Sequence, residues 1–417
     1  MPDQPVSTNL SGARIPVLDG IRGVAILMVM LFHFWLFGTT TETTTIGTTL
    51  WERLYSAIAG MGWIGVDLFF VLSGFLITGI LYDSRGSQHY YRVFYARRTV
   101  RIFPLYYASL ALFFWVLPFV LGHLHHGEFA DAHRSTWERL FAWTYLLNWY
   151  EGWTGFTGVP LPLQHFWSLA IEEQFYFVWP FLVATFTRRR LMSLCGGLMI
   201  LGLASRLVAY GLHYPLIAYT WTICRADSLA MGAVLALAAR DAEDWKTVEK
   251  WAPYLSVLGF CAVVLSRIAN PRAVAGPGHD PTFLLSTFGF TFLGLFFGGC
   301  LAMAVSAVEG SLLNRTLSSP FLRFFGKYSY CLYVCHVPFI AFCAKAGFDS
   351  RRLTTLLHDE FLAVVALNAI GFASTIAIAL TSWNLFEKQF LKLKDLPLLQ
   401  REEEPPTGVA AASSTAV

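Results

Sequence analysis

The stretch DGIRGVAILMVMLFHFW, residues 19–35, is apolar from Val24 to Trp35 except for His33, and Arg22 stands just before that run. A helix turns about 100° per residue and rises about 1.5 Å. Eleven residues therefore leave Arg22 and His33 about 20° from a common face and about 16 Å apart along the axis. One face then carries a cation at one mouth of a membrane helix and an imidazole past its middle. Imidazole, with a pKa of about 6.5, is the usual general base toward a hydroxyl. A guanidinium binds phosphate in bidentate fashion. Asp19, one turn before Arg22, can pair with it. The plainer alternative is an arginine that snorkels to the interface and a core histidine bonded to a backbone carbonyl.

Other polar groups sit in apolar surroundings where each is costly unless paired or wet. In HFWSLAIEEQFYFVWP (165–180), His165, Ser168, Glu172 and Tyr176 recur at helical spacing and form one stripe, with Glu173 about 80° off it. GWIGVDLFFVLSGFLI (62–77) holds Asp67 near its start and Ser73-Gly74 deeper, where a small pair also suits close helix packing. In YYRVFYARRTVRIFPLYY (90–107), Arg98 and Arg101 are one turn apart beside Arg97, with Pro104 just inside the next span. That patch reads either as a membrane anchor or as a site for an anionic ligand. RADSLAMG (225–232) offers Asp227 as a partner for Arg225. GKYSYCLYVCHVPF (326–339) adds Lys327, Tyr328, Tyr330 and a second intramembrane imidazole, His336. Arg206 and Glu387 are further candidates without a rank.

The elements that must position these residues are membrane helices. The 417-residue chain is 55% hydrophobic and only 14% charged, with a mean hydropathy of +0.52, against about 25% charged residues in soluble domains. Its net charge of +3 gives no reason to expect a nucleic-acid partner. The seven cysteines lie in or beside apolar runs without a CxxC pair, which predicts free thiols and no metal site. A span needs about 20 apolar residues. Ten segments qualify: 18–37, 62–82, 102–121, 165–187, 190–211, 217–239, 251–268, 283–306, 328–345 and 361–386. With a cytoplasmic N-terminus, twenty of the thirty Lys and Arg residues fall on the inner side and six on the outer, as the positive-inside rule requires. Both termini are then cytoplasmic. The first span is expected to stay as an anchor, since no cleavage site follows it.

The fold class is thus an all-α polytopic bundle of about ten transmembrane helices. The segment 137–153, WERLFAWTYLLNWYEGW, is too short to span and reads as a re-entrant or interfacial helix. Residues 1–17 form a cytoplasmic N-terminal segment, 18–387 the membrane domain, and 388–417 a cytoplasmic tail, partly disordered. No clear internal repeat favours a two-fold transporter architecture.

Taken in order, these motifs resemble the acyltransferase-3 family of integral membrane acyltransferases. The resemblance rests on LDGIRG with Arg22 and His33, GVDLFFVLSGFLI, Arg98 and Arg101 in ARRTVRIFPLYY, HFWSLAIEEQFYFVWP, RADSLAMG and GKYSYCLYVCHVPF, from Leu18 to Glu387. It implies transfer of an acyl group from cytosolic acyl-CoA, with acetyl-CoA the expected donor, to a hydroxyl of a carbohydrate or glycoconjugate. Family acceptors include O-antigen, exopolysaccharide, peptidoglycan, periplasmic glucans and macrolide sugars. Acyl-CoA would be a co-substrate, with no cofactor held permanently. The chain ends soon after its last span and is expected to lack the extracytoplasmic hydrolase-like domain that some members carry. The expected location is a bacterial inner membrane. Under this reading His33 is the catalytic base or a transient acyl carrier, and Glu172 orients the imidazole or positions the acceptor. Arg22, Arg98 and Arg101 hold coenzyme A phosphates. Asp19, Asp67, His165, Ser168, Tyr176, Asp227, Tyr330 and His336 support the site or face the acceptor. A solute or proton-coupled transporter, or a non-catalytic sensor, would also place Asp, Glu and His within spans; neither would consume acyl-CoA.

Overall fold

The computed structural model describes residues 16–39, 49–117, 119, 136–156, 161–269, 283–345 and 350–396. The expected N-terminal segment before Pro16, the Thr-rich residues 40–48, the end of the third span and the tail beyond Leu396 lie outside these residues. Among the described residues there are only helices and their connections. The long ones are α1 (Pro16–Thr39), α2 (Gly65–Asp83), α3 (Tyr90–Ala111), α6 (Trp167–Thr185), α7 (Arg188–Gly211), α8 (Thr222–Ala238), α9 (Ala242–Ala269), α10 (Phe290–Val305), α11 (Pro320–Lys345) and α12 (Glu360–Ser382), with the short α4 (Thr136–Trp143) and α5 (Leu147–Thr154) between α3 and α6. Every predicted span falls on helix over its described residues apart from one or two residues at the ends of three spans, the sixth with a further break at Trp221. The chain is a polytopic membrane bundle.

Among the described residues eight helical stretches are long and apolar enough to cross a membrane on composition alone. The two predicted spans outside that set are α6 and α11. These helices carry the polar stripes, Ser168 to Tyr176 and Lys327 to His336, so their low apolarity and their chemical content have one cause. Their polar faces meet neighbours: α11 packs along α1, and α6 against α2 and α5. The third span starts earlier than expected. Its helix begins at Tyr90, so Arg98 and Arg101, one turn apart as expected, stand on the helix that continues into the span.

Several helix pairs approach closely enough to exclude any side chain at the crossing, α1 with α11 and α2 with α8 among them. A Cβ on Gly326 of α11 would lie 1.8 Å from the Asp19 carbonyl oxygen of α1. One on Gly232 of α8 would lie 1.9 Å from the Val71 carbonyl of α2, and one on Gly74 of α2 would lie 2.0 Å from the Leu229 carbonyl of α8. Small residues let membrane helices gain backbone contact where lipid supplies no hydrophobic drive. Since the opposing atoms are backbone, a methyl group at Gly232 must push α2 and α8 apart. Gly232→Ala is expected to destabilise by roughly 3 kcal/mol, the upper end of overpacking costs. A thermal-unfolding midpoint equal to that of wild type would refute this.

The segment 137–153 is a helical hairpin. Each arm has eight residues, about 12 Å, too short to span. The turn puts Tyr145 in the left-handed region, φ 56°. Gln174 of α6 donates to the Tyr145 carbonyl at 2.7 Å and to Asn148 Oδ1 at 2.9 Å. Asn148 in turn donates to Thr222 Oγ1 of α8 at 3.0 Å. Gln174 lies about 10 Å along α6 from Trp167, so the hairpin tip is bonded about two turns inside the start of that helix. Trp137 and Trp153, near its two ends, are exposed, as interfacial anchors are.

Candidate active site

The close pairing of α1 with α11 brings His33 and His336 together although 303 residues separate them. His336 Nε2 is 3.2 Å from His33 Nδ1, and His33 Nδ1 is 2.9 Å from the Val29 carbonyl one turn back. The plainer expectation for His33, a bond to a backbone carbonyl, is therefore met, and a second imidazole is added to it. His165 completes the cluster from the turn that leads into α6. Its ring centroid is 5.0 Å from that of His336 and 6.5 Å from that of His33.

The imidazoles gather on the turn of α11 just before Pro338, which has no N–H and leaves the Val334 carbonyl without its helical donor. His165 Nε2 meets the adjacent Tyr333 carbonyl at 2.9 Å. His336 Nδ1 lies 2.7 Å from Tyr333 O and 3.1 Å from Leu332 O. The Tyr333 hydroxyl is 2.5 Å from Ser168 Oγ and donates to the His165 carbonyl at 2.9 Å. The cluster is thus tied across α1, α6 and α11. His165 and His336 are buried and His33 half-buried.

A second cluster lies toward the Arg22 end. Arg22 Nη1 meets Asp19 Oδ1 at 3.2 Å, the pair expected from spacing. Arg98 lies with its guanidinium carbon 5.0 Å from the centre of the Tyr176 ring. Arg22, Arg98 and Arg101 are all half-buried and within electrostatic range of one another, and Arg22 and Arg98 also of Glu172. Glu172 Oε1 accepts from Ser73 Oγ at 2.7 Å, and the Tyr176 hydroxyl reaches Ser73 Oγ at 3.2 Å and Glu172 Oε2 at 3.4 Å. Glu172 therefore belongs with the arginines. It makes no hydrogen bond to His33, and the group that meets that imidazole is His336. The predicted stripe is real but divided: His165 and Ser168 serve the histidines, Glu172 and Tyr176 the cations. Glu173, off the stripe, keeps Oε1 buried and without a hydrogen bond.

Asp67 and Asp227 are placed differently from expectation. Arg225 does not pair with Asp227: it meets Asp67 Oδ1 at 2.6 Å, with both side chains fully buried. Asp227 pairs instead with Arg206 at 2.7 Å and accepts from Thr291 Oγ1 at 2.9 Å. Residues two apart on a helix point about 200° away from each other, so Arg225 and Asp227 face different neighbours. The unranked Arg206 thereby has its place, bonded also to the Thr287 and Cys224 carbonyls. Tyr330 donates to the Ile102 carbonyl of α3 at 2.7 Å, joining α11 to the arginine helix. Tyr333 and Gln174 were not singled out by sequence, because a tyrosine and a glutamine in an aromatic-rich span carry no signal apart from their partners.

Chemically, the arrangement offers an imidazole with one open nitrogen at one level and a cationic nest at another, both on the face shared by Arg22 and His33. Among the described residues no group of three or more His, Cys, Asp or Glu is set to hold a metal ion.

Residues 15–383 match the acyltransferase-domain model of the acyltransferase-3 family. The peptidoglycan O-acetyltransferase OatA of Listeria monocytogenes is 27% identical over 355 residues, covering 80% of this chain and 50% of that protein. YrhL of Bacillus subtilis, provisionally named a peptidoglycan O-acetyltransferase, is 30% identical over 352 residues, or 78% and 48% of the two chains. A provisionally named O-acetyltransferase of Staphylococcus aureus is 26% identical over 362 residues, or 81% and 52%. The chain spans about half the length of the curated relatives it matches. No solved structure matches it.

Proposed function

We propose, on the premise that this chain belongs to the acyltransferase-3 family, that it is an O-acyltransferase moving an acetyl group from cytosolic acetyl-CoA to a hydroxyl of a cell-envelope carbohydrate. It would sit in a bacterial inner membrane with both termini in the cytoplasm. The observation that carries the reading is the shared face of α1. Arg22, backed by Arg98 and Arg101, stands at one level, and His33, with an unbonded ring nitrogen, about 16 Å further along. Coenzyme A is a polyanion with a long, flexible arm ending in a thioester. Guanidiniums at the inner mouth would hold its phosphates, and the arm would carry the thioester up to His33. There the imidazole takes the proton of the acceptor hydroxyl as its oxygen attacks. The names of the relatives make peptidoglycan the first acceptor to try.

The test is release of coenzyme A from labelled acetyl-CoA, and recovery of labelled ester, by the purified chain in lipid nanodiscs with a panel of glycans. Transfer to a carbohydrate is expected. Absence of both transfer and hydrolysis across the panel would overturn the reading.

The donor side has its own test. Replacing Arg98 and Arg101 by Gln removes two charge-assisted contacts, each worth about 1.5 kcal/mol or more. The double variant is expected to bind acetyl-CoA at least about a hundredfold more weakly while eluting as a folded monodisperse protein. Unchanged affinity by calorimetry would make the patch a membrane anchor only.

A further inference from the structure

A backbone carbonyl can only accept a hydrogen bond, so an imidazole nitrogen that meets one must carry a proton. This rule settles the tautomers of the histidine cluster. His336 Nδ1 meets the Tyr333 and Leu332 carbonyls at 2.7 and 3.1 Å, so it is protonated, and Nε2 of the neutral ring holds a lone pair. His33 Nδ1 meets the Val29 carbonyl at 2.9 Å, so it too is protonated. That N–H is shared between the carbonyl and the His336 Nε2 lone pair 3.2 Å away. The lone pair of His33 is then on Nε2, which no described residue bonds. Among the described residues, no carboxylate forms an ion pair or hydrogen bond with His33. The place of the orienting acid in a catalytic triad is taken by a neutral imidazole.

We propose that His336 is the positioning residue of a His33–His336 dyad, selecting His33 Nε2 as the basic nitrogen and stabilising the ring when it is charged. The proposal rests on the acyl-transfer reading above. As the acceptor oxygen attacks the thioester carbonyl, a C–O bond forms and the hydroxyl proton moves to His33 Nε2. The C–S bond then breaks, and the thiolate leaves with that proton, restoring neutral His33. Between these events His33 is an imidazolium within the bundle. Its Nδ1–H bond to the His336 lone pair becomes charge-assisted, and such bonds are roughly twice as strong as neutral ones. The third member of a Ser-His-Asp triad holds its histidine by the same geometry. His336 is itself held by the Leu332 and Tyr333 carbonyls of its own helix.

The experiment compares wild type, His336→Gln and His336→Phe as whole chains in nanodiscs, measuring kcat, KM for acetyl-CoA and the thermal midpoint. Gln places an acceptor oxygen near the position of Nε2 and is expected to retain kcat within a few-fold. Phe keeps the ring volume without an acceptor and is expected to lose roughly 10²-fold in kcat, with KM for acetyl-CoA and the midpoint little changed. Wild-type kcat in the Phe variant, or equal loss in both variants with both folded, would overturn the dyad. Should the Phe variant not fold, His336→Asn takes its place. The Asn oxygen mimics Nδ1 rather than Nε2, so Asn should fail where Gln works, and equal activity of the two would overturn the dyad. Absence of transfer by wild type would overturn the acyl-transfer reading itself, whereas the pattern among variants bears on the dyad alone.

Discussion

His33→Ala protein is expected to bind acetyl-CoA as wild type does but to transfer acetyl groups at most at about one hundredth of the wild-type rate. A positioned general base contributes about 10²- to 10⁴-fold, and the other ring nitrogen without a hydrogen bond in the cluster, His165 Nδ1, is buried. The structural cost of the change should be small. His33 is half-buried and bonded to its own helix at Val29, and Ala is a better helix former than His. Loss of rate with an unchanged thermal midpoint and unchanged acetyl-CoA affinity therefore isolates chemistry from folding. Equal rates in the two proteins would remove His33 from the reaction. The same preparation separates a base from an acyl carrier. A carrier would accumulate label on the protein from acetyl-CoA without an acceptor, whereas a base leaves the chain unlabelled.

The parts of this molecule legible in its sequence are those governed by local periodicity. Spans can be read because each must hide its backbone polar groups within one helix, and that leaves a long apolar run. The Arg22–His33 face and the Asp19–Arg22 pair could be read because all three residues lie on one helix of known pitch. Partners between helices could not. Asp67 and Arg225 are 158 positions apart, and His33 and His336 are 303. What joins each pair is the glycine-lined crossing of their helices, at Gly74 and Gly232 and at Gly326. A sequence shows that an ionised group within the membrane needs a partner without saying which. Hence Asp227 was matched to its neighbour Arg225, although the helix turns them apart, and Glu172 was set beside the histidines although Ser73 and Tyr176 hold it. The helical hairpin was legible as a segment too short to span. Its placement depends on Gln174, an amide whose role exists only once α4 and α5 fold back on α6.

Asp67→Ala is expected to cost more stability than any other single change at these sites, about 3–5 kcal/mol. That is the penalty for leaving one charge of a buried pair without its partner. Both side chains of the Asp67–Arg225 pair are fully buried at 2.6 Å, and Ser228 Oγ adds a bond to the same carboxylate oxygen at 3.2 Å. Without Asp67, the Arg225 guanidinium keeps the Tyr219 carbonyl at 3.2 Å and the face of Phe290 at 3.8 Å. The rings of Phe70, Trp167 and Tyr219 also lie within 5.5 Å, but one carbonyl and aromatic faces do not replace a carboxylate for a cation out of water. The double variant Asp67→Leu with Arg225→Met removes both charges and keeps the volume, and such replacements are often neutral or stabilising. The single variant is therefore expected to unfold at a markedly lower temperature in detergent and the double variant near wild type; a loss below about 1 kcal/mol in the single variant would contradict the buried pair. Activity then decides what the pair is for. A double variant that folds and transfers acetyl groups makes Asp67 a fastener between α2 and α8, holding Ser73 and through it Glu172 in place. A double variant that folds but is inactive would put Asp67 in the reaction, on the side of the bundle away from the arginines.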